Sequence, residues 1–280
     1  MRRGPLATFL VYVAVVALVV TILAPVAWLF IMSISASPDL TAIPLRWLPA
    51  EPDFSRYARL FSLAEGGAGR EFLSALRNSL VVAITATAIA LAAGIPAAYS
   101  FSRFPGRMGL LYTVIVTSMI PPVAFILPLY KVFSALGLLN SVVALIIVYC
   151  TVLLPFVTWL MKSGFDSVPV EIEQAADLEG ASLFQILRHI TLPVAAASAG
   201  AAALFALLLA WDEFFYALLY TSDTRAKTLP VAIADFAAGR ATDYGLISAV
   251  GILSALPPVL IGFFLQKSLL SGLSAGSVKG

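Results

Sequence analysis

Long windows without a single charge dominate this chain. No charged residue occurs between Arg77 and Arg103, between Arg107 and Lys131, between Lys131 and Lys162, or between Asp243 and Lys267. Gly4–Pro38 is also uncharged, and Ile190–Tyr220 is interrupted only by Asp212-Glu213. A bilayer core about 30 Å thick takes about 20 apolar residues per helix, so each window is long enough to cross once. The expected architecture is an all-α polytopic membrane protein, a single transmembrane domain over 1–280. Its six spans lie near 6–34, 78–102, 108–130, 139–161, 194–220 and 245–266. The first is read as a retained span, because a cleavable signal peptide has a shorter apolar core and a small-residue cleavage site.

Composition closes off the alternatives. Hydrophobic residues make up 61% of the 280 and charged residues 11%, whereas soluble domains carry roughly a quarter charged. Such a chain cannot clothe a water-facing surface, so the lipid bilayer is its first partner. A net charge of +2, scattered along the chain, gives no footprint for nucleic acid. Cys150, the single cysteine, sits in an apolar run and His189 is the single histidine. Neither has companions for a disulfide or a metal cluster, and both read as structural.

The basic residues divide almost evenly between the two sides of a six-span arrangement, so their total does not orient the chain. The Arg2-Arg3 pair and the short Arg103–Arg107 turn have no acids nearby and favour a cytoplasmic N-terminus. An even number of spans then puts both termini in the cytoplasm. Segment 35–77, with Pro38, Pro44, Pro49 and Pro52, is expected outside as an ordered segment, either an interfacial packing cap or a docking surface for a partner. Pro121-Pro122, Pro128, Pro155 and Pro257-Pro258 are expected to kink their spans, since proline frees a backbone carbonyl and clashes with the preceding turn.

The loop at 162–193 is the most informative polar segment. Pro169 suits the first position of a helix, with Glu171 and Glu173 in its first turn, where the helix dipole favours negative charge. Gly180 supplies a left-handed end to that helix. Ser182 and Gln185 have capping-box spacing and open a second helix, to which Leu183, Ile186, Leu187 and Ile190 give an apolar stripe. A DNA-reading helix pair has similar outlines. Here, though, Asp166, Glu171, Glu173, Asp177 and Glu179 outnumber Lys162 and Arg188, the wrong sign for phosphate.

Gln174-Ala175-Ala176, three residues, Gly180, nine residues and Ile190-Thr191-Leu192-Pro193 resemble the signature loop of ABC-importer permeases, a Glu-Ala-Ala motif ending in Ile-x-Leu-Pro. Further pieces look closest to the maltose-type carbohydrate permeases. They are Asn78-Ser79-Leu80, the run from Gly94 to Phe104, Ala210-Trp211-Asp212-Glu213-Phe214, and the tail Gly272–Gly280. The resemblance implies a permease subunit for a sugar, oligosaccharide or polyol, in a bacterial or archaeal cytoplasmic membrane. It would work by alternating access with a cytoplasmic ABC ATPase, a second homologous permease and an extracytoplasmic substrate-binding protein. By the same resemblance, Glu173, Gln174, Ala175, Ala176, Asp177, Gly180, Ala181, Leu192 and Pro193 couple to the ATPase. Gln174 stands where the family has Glu and cannot supply a charge-assisted bond, so either Glu173 takes over that pairing or the contact is weaker.

Asp212 and Glu213 are costly if they face lipid, so they are expected at a subunit interface or on an aqueous path. Trp211 offers beside them an aromatic face suited to a pyranose ring. Trp211, Asp212, Glu213 and Phe214 are therefore the candidate path or gate. Asp212 departs from the subfamily's Asn. No GxxxxGK[ST] phosphate loop occurs, and no HExxH or GxSxG. An enzyme is not expected, and ATP and magnesium belong to the partner ATPase. A permease for polyamine or glycerol phosphate, or an ion-driven carrier with Asp212 and Glu213 as its ion sites, is the alternative. Ion-driven folds usually contain more spans and internal repeats.

Overall fold

A membrane interior offers no water to exposed N–H and C=O groups, so a spanning backbone closes its hydrogen bonds within helices. A computed structural model describes residues 5–64, 67–238 and 243–277. The Arg2-Arg3 pair and the last tail residues lie outside the described residues. Every regular element among the described residues is helical. In chain order they are α1 (Pro5–Ile34), α2 (Ser37–Leu40), α3 (Ser55–Leu60), α4 (Ala68–Arg103), α5 (Met108–Ser118), α6 (Pro122–Ala135) and α7 (Val142–Asp166). There follow α8 (Val170–Leu178), α9 (Leu183–Ile186) with a π turn at Leu187–Thr191, α10 (Leu192–Val194) and α11 (Ala196–Trp211). The last are α12 (Phe215–Tyr220), α13 (Leu229–Ala237) and α14 (Tyr244–Ser277).

Four helices are long and apolar enough to cross a membrane unbroken: α1, α4, α7 and α14. Two bent pairs bring the number to six if each is one span: α5 with α6, bent by 89°, and Leu183–Val194 with α11, bent by 83°. The expected third span is thus broken. Neither Pro121 nor Pro122 has an N–H to donate, and the residue before a proline is pushed out of the α region. The first helix accordingly stops at Ser118, and Pro122 opens the next, a position proline favours. Pro96, Pro155, Pro257 and Pro258 all lie inside continuous helices.

Helix α4 begins at Ala68, ten residues before the expected span at 78. Its 36 residues extend about 54 Å at 1.5 Å each, well beyond a bilayer core. Arg70, Glu71 and Arg77 therefore ride on the helix as it leaves the apolar layer; they do not end it. Likewise α7 runs one turn past Lys162 to Asp166.

The chain divides into two compact units, Met1–Leu73 with Ala232–Leu256, and Ser74–Val231 with Pro257–Gly280. The first is tied by a buried arginine. Arg56 Nε donates to Asp243 Oδ1 at 3.1 Å, Nη1 to the Ser35 carbonyl at 2.6 Å and Nη2 to Ser37 Oγ at 3.0 Å. Burial pushes the Asp243 carboxyl up, but the Leu246 N–H and the Arg56 cation outweigh it and hold the group below its usual range. A Cβ at Gly245 would stand 2.3 Å from Arg56 Cζ, so only glycine lets the guanidinium lie against the start of α14.

In the second unit α7 lies against α11, α5 and α12. It buries Leu145, Val148, Leu153, Val157, Met161 and Phe165. Small residues allow close approach, as membrane interfaces favour. A Cβ on Gly94 would meet Val157 Cγ1 at 2.8 Å, and one on Gly164 would meet Ser198 Cβ at 2.5 Å. Cys150 is buried, its thiol 3.9 Å from the Ala86 carbonyl.

Candidate functional site

The loop between α7 and α11 folds as two arms around a glycine turn. Pro169 stands at the N-cap of α8, one position before the place expected for it. At the other end, Gly180 N–H donates to the Asp177 carbonyl at 2.9 Å and Ala181 N–H to the Ala176 carbonyl at 3.0 Å. This pair of bonds is a Schellman cap, and Gly180 has the left-handed φ of +88° that it demands. The capping box forms as expected, with Gln185 N–H on Ser182 Oγ at 3.4 Å and Ser182 N–H on Gln185 Oε1 at 2.8 Å.

The apolar stripe divides. Ile186 and Leu187 are buried, but Leu183 is 59% exposed, beside Phe184 at 67% and Leu178 at 90%. An open hollow of about 400 Å³ lies among Ala176, Glu179, Gly180, Ala181, Gln185, His189 and Ile190. Gln174, Ala175, Asp177 and Pro193 are exposed, and Leu192 is half-buried. The loop thus lines a concavity with small residues and Glu179, and exposes bulky apolar side chains elsewhere on its surface.

Glu173 differs from its neighbours in being only 6% exposed and in accepting several hydrogen bonds from side chains of its own chain. Arg103 grips it with both branches, Nε to Oε2 at 2.9 Å and Nη2 to Oε1 at 2.7 Å. Tyr99 Oη donates to Oε2 at 3.0 Å and Thr191 Oγ1 to Oε1 at 2.8 Å. Burial pushes the Glu173 carboxyl up, but the bonds from Arg103, Thr191 and Tyr99 prevail and hold it below the usual carboxylate range. Arg103 thus supplies Glu173 with a charge-assisted pairing inside the chain. Arg103, Tyr99 and Thr191 are functional candidates that sequence reasoning missed; the signals were that Tyr99 and Arg103 fall in the run closing the second span and Thr191 in the Ile190–Pro193 end of the signature loop.

At the second candidate, Trp211 ends α11 and is only 6% exposed. The ring face offered to a sugar is covered. Asp212 and Phe214 are exposed. Glu213 caps α12, accepting Tyr216 N–H at 2.9 Å and Ala217 N–H at 3.3 Å, while Tyr149 Oη donates to its backbone carbonyl at 3.2 Å. The helix it caps carries Tyr216 to a cavity of about 300 Å³, lined also by Thr117, Ser118, Pro122, Phe125 and Thr151. The broken α5–α6 pair forms one side of this cavity, which combines hydroxyls with aromatic faces.

Long apolar helices, a helix pair broken at paired prolines and a glycine-turned polar loop define a polytopic membrane protein. The chain belongs to the family of binding-protein-dependent transport system inner membrane components, whose pattern it matches over residues 90–274. It is 32% identical over 271 residues to the sulfoquinovosyl glycerol transport system permease protein SmoH of Agrobacterium fabrum, covering 96% of this chain and 93% of that one. It is 31% identical over 283 residues to the trehalose/maltose transport system permease protein MalG of Thermococcus litoralis, with both chains fully covered. A bacterial ABC transporter involved in the import of the acidic polysaccharide alginate has the same fold. The TM-score is 0.80 at 21% identity, over 96% of this chain and 99% of that one.

Proposed function

We propose that this chain is one of two channel-forming permease subunits of an ATP-driven importer for a sugar, oligosaccharide or polyol. The observation that carries the reading is the exposed, Schellman-capped hollow at 176–190 in a chain whose full-length relatives are named for glycoside and disaccharide transport. The hollow fits a partner in helix-and-groove fashion, with Gln174, Ala175, Ala176, Asp177, Gly180, Ala181, Leu192 and Pro193 on or beside the docking arm and Glu173 beneath it. The partner is a cytoplasmic ABC ATPase that holds the ATP and magnesium. A second homologous permease completes the channel, and an extracytoplasmic binding protein delivers substrate. Both termini then lie in the cytoplasm.

Asp212, Glu213 and Phe214, with Trp211 behind them, lie along the substrate path together with the cavity at Tyr216. Its hydroxyls and rings suit a sugar, which offers hydroxyl edges and an apolar ring face. Alternating access follows when ATPase closure shifts the loop and reorients the path. The test is uptake of labelled disaccharide into vesicles containing the complete complex. Uptake requiring ATP and the binding protein is expected; uptake that follows a proton gradient without ATP would contradict the assignment.

A further inference from the structure

The end of α4 holds the loop through several side chains at once. Tyr99 and Arg103 bind Glu173 as described. Arg103 Nη2 also donates to the Val168 carbonyl at 3.2 Å and Nη1 to Ser102 Oγ at 2.8 Å, while Ser102 Oγ donates to Asp166 Oδ1 at 2.6 Å. Tyr99 meets Phe165 edge-on with ring centroids 5.9 Å apart. Glu173 begins one arm of the loop, and Thr191, which binds the same carboxylate, lies at the far end of the other.

We propose that Arg103 and Tyr99 are positioning residues for coupling: they clamp Glu173 so that the ATPase-facing loop and the last turn of α4 move as one body. The motor's stroke then enters the membrane through α4. This rests on the reading of the loop given above. The carboxylate stands where α4 and both arms of the loop meet. Sliding the loop away from α4 would strip Glu173 of its cation while it is still screened from water, and an unpaired buried charge is strongly disfavoured. The two-branched guanidinium bond also fixes orientation, which a single ammonium contact does not. By contrast, Gln174, Asp177 and Glu179 are exposed and remain free for the partner's surface. Recognition and transmission thus fall to different side chains of one short arm.

The test compares wild-type, Arg103→Met and Arg103→Lys complexes, each with its partner ATPase, second permease and binding protein in vesicles. It measures molecules taken up per ATP hydrolysed, beside the amount of ATPase that copurifies. The expectation for Arg103→Met is retained ATPase with the uptake-to-hydrolysis ratio down about tenfold, and for Arg103→Lys a ratio between the two. A purely structural role would lower assembly and uptake together and leave the ratio alone. A wild-type ratio in Arg103→Met overturns the clamp. Should that variant fail to assemble, Arg103→Lys decides, and a wild-type ratio there overturns it equally. A wild-type complex without ATP-dependent uptake would overturn the importer reading itself, and the clamp with it.

Discussion

Two glutamates sit at helix breaks in this molecule, and their surroundings differ in kind. Glu213 answers a local need: its carboxylate satisfies the Tyr216 and Ala217 amides of the short helix that follows it. Glu173 joins elements far apart in sequence, accepting from Tyr99, Arg103 and Thr191. A cap stabilises one turn, whereas a buried ion pair between elements makes their positions depend on each other. Loss of the first softens a segment. Loss of the second disconnects the loop from the membrane helices.

The largest expected effect is at the clamp. Glu173→Arg would set two guanidiniums against each other in a buried site, and breaking such a pair costs about 3 kcal/mol or more. Thermal unfolding of the purified complex should show the loss; an unchanged midpoint would contradict the buried pairing. Next in size is Gly180→Val. No neighbouring atom lies within 4 Å of a Cβ there, so the penalty is the left-handed backbone, about 1–2 kcal/mol, together with a branched side chain at the mouth of the docking hollow. Transport is expected to be uncoupled from hydrolysis, and wild-type uptake would count against the docking role.

A smaller change is expected at the other glutamate. Glu213→Ala removes a helix cap, about 1 kcal/mol, and Glu213→Gln should restore much of it, both read from the unfolding midpoint. A loss as great as that of Glu173→Arg would erase the distinction between the two sites. The smallest effect is in pH. The Glu173 carboxyl is held below its ordinary value, so its contribution is complete above the unfolded value of about 4.3 and fades as pH falls through the lower, folded one. The melting difference between wild type and Arg103→Met should therefore be constant near neutrality and shrink only under acid; shrinkage at pH 6 would contradict the pairing.

What could be read in the sequence was local. The Gly180 turn and the Ser182–Gln185 box depend on residues a few positions apart, so spacing alone reveals them. The prolines at 121–122 announced a kink, but its 89° angle depends on how α5 and α6 meet their neighbours. Charges at Arg70, Glu71 and Arg77 suggested a helix start at 78; they mark the exit from lipid on a helix that had already begun. Leu183 fitted the stripe by period yet is exposed at the first position of α9, while Ile186 and Leu187 are buried. The Arg103–Glu173 pair joins residues 70 positions apart, and no periodicity connects them. For the same reason Trp211, inviting beside two acids, gave no hint that α11 buries it.

The central claim is that the loop at 162–193 meets a nucleotide-hydrolysing partner on the cytoplasmic side. A photo-activated crosslinker placed at Leu178, an apolar residue of the loop that is 90% exposed, tests it in native membranes. The account predicts one dominant adduct, with an ABC ATPase, that is lost in Gly180→Val. Adducts with an extracytoplasmic protein, or none beyond lipid and the chain itself, would contradict it.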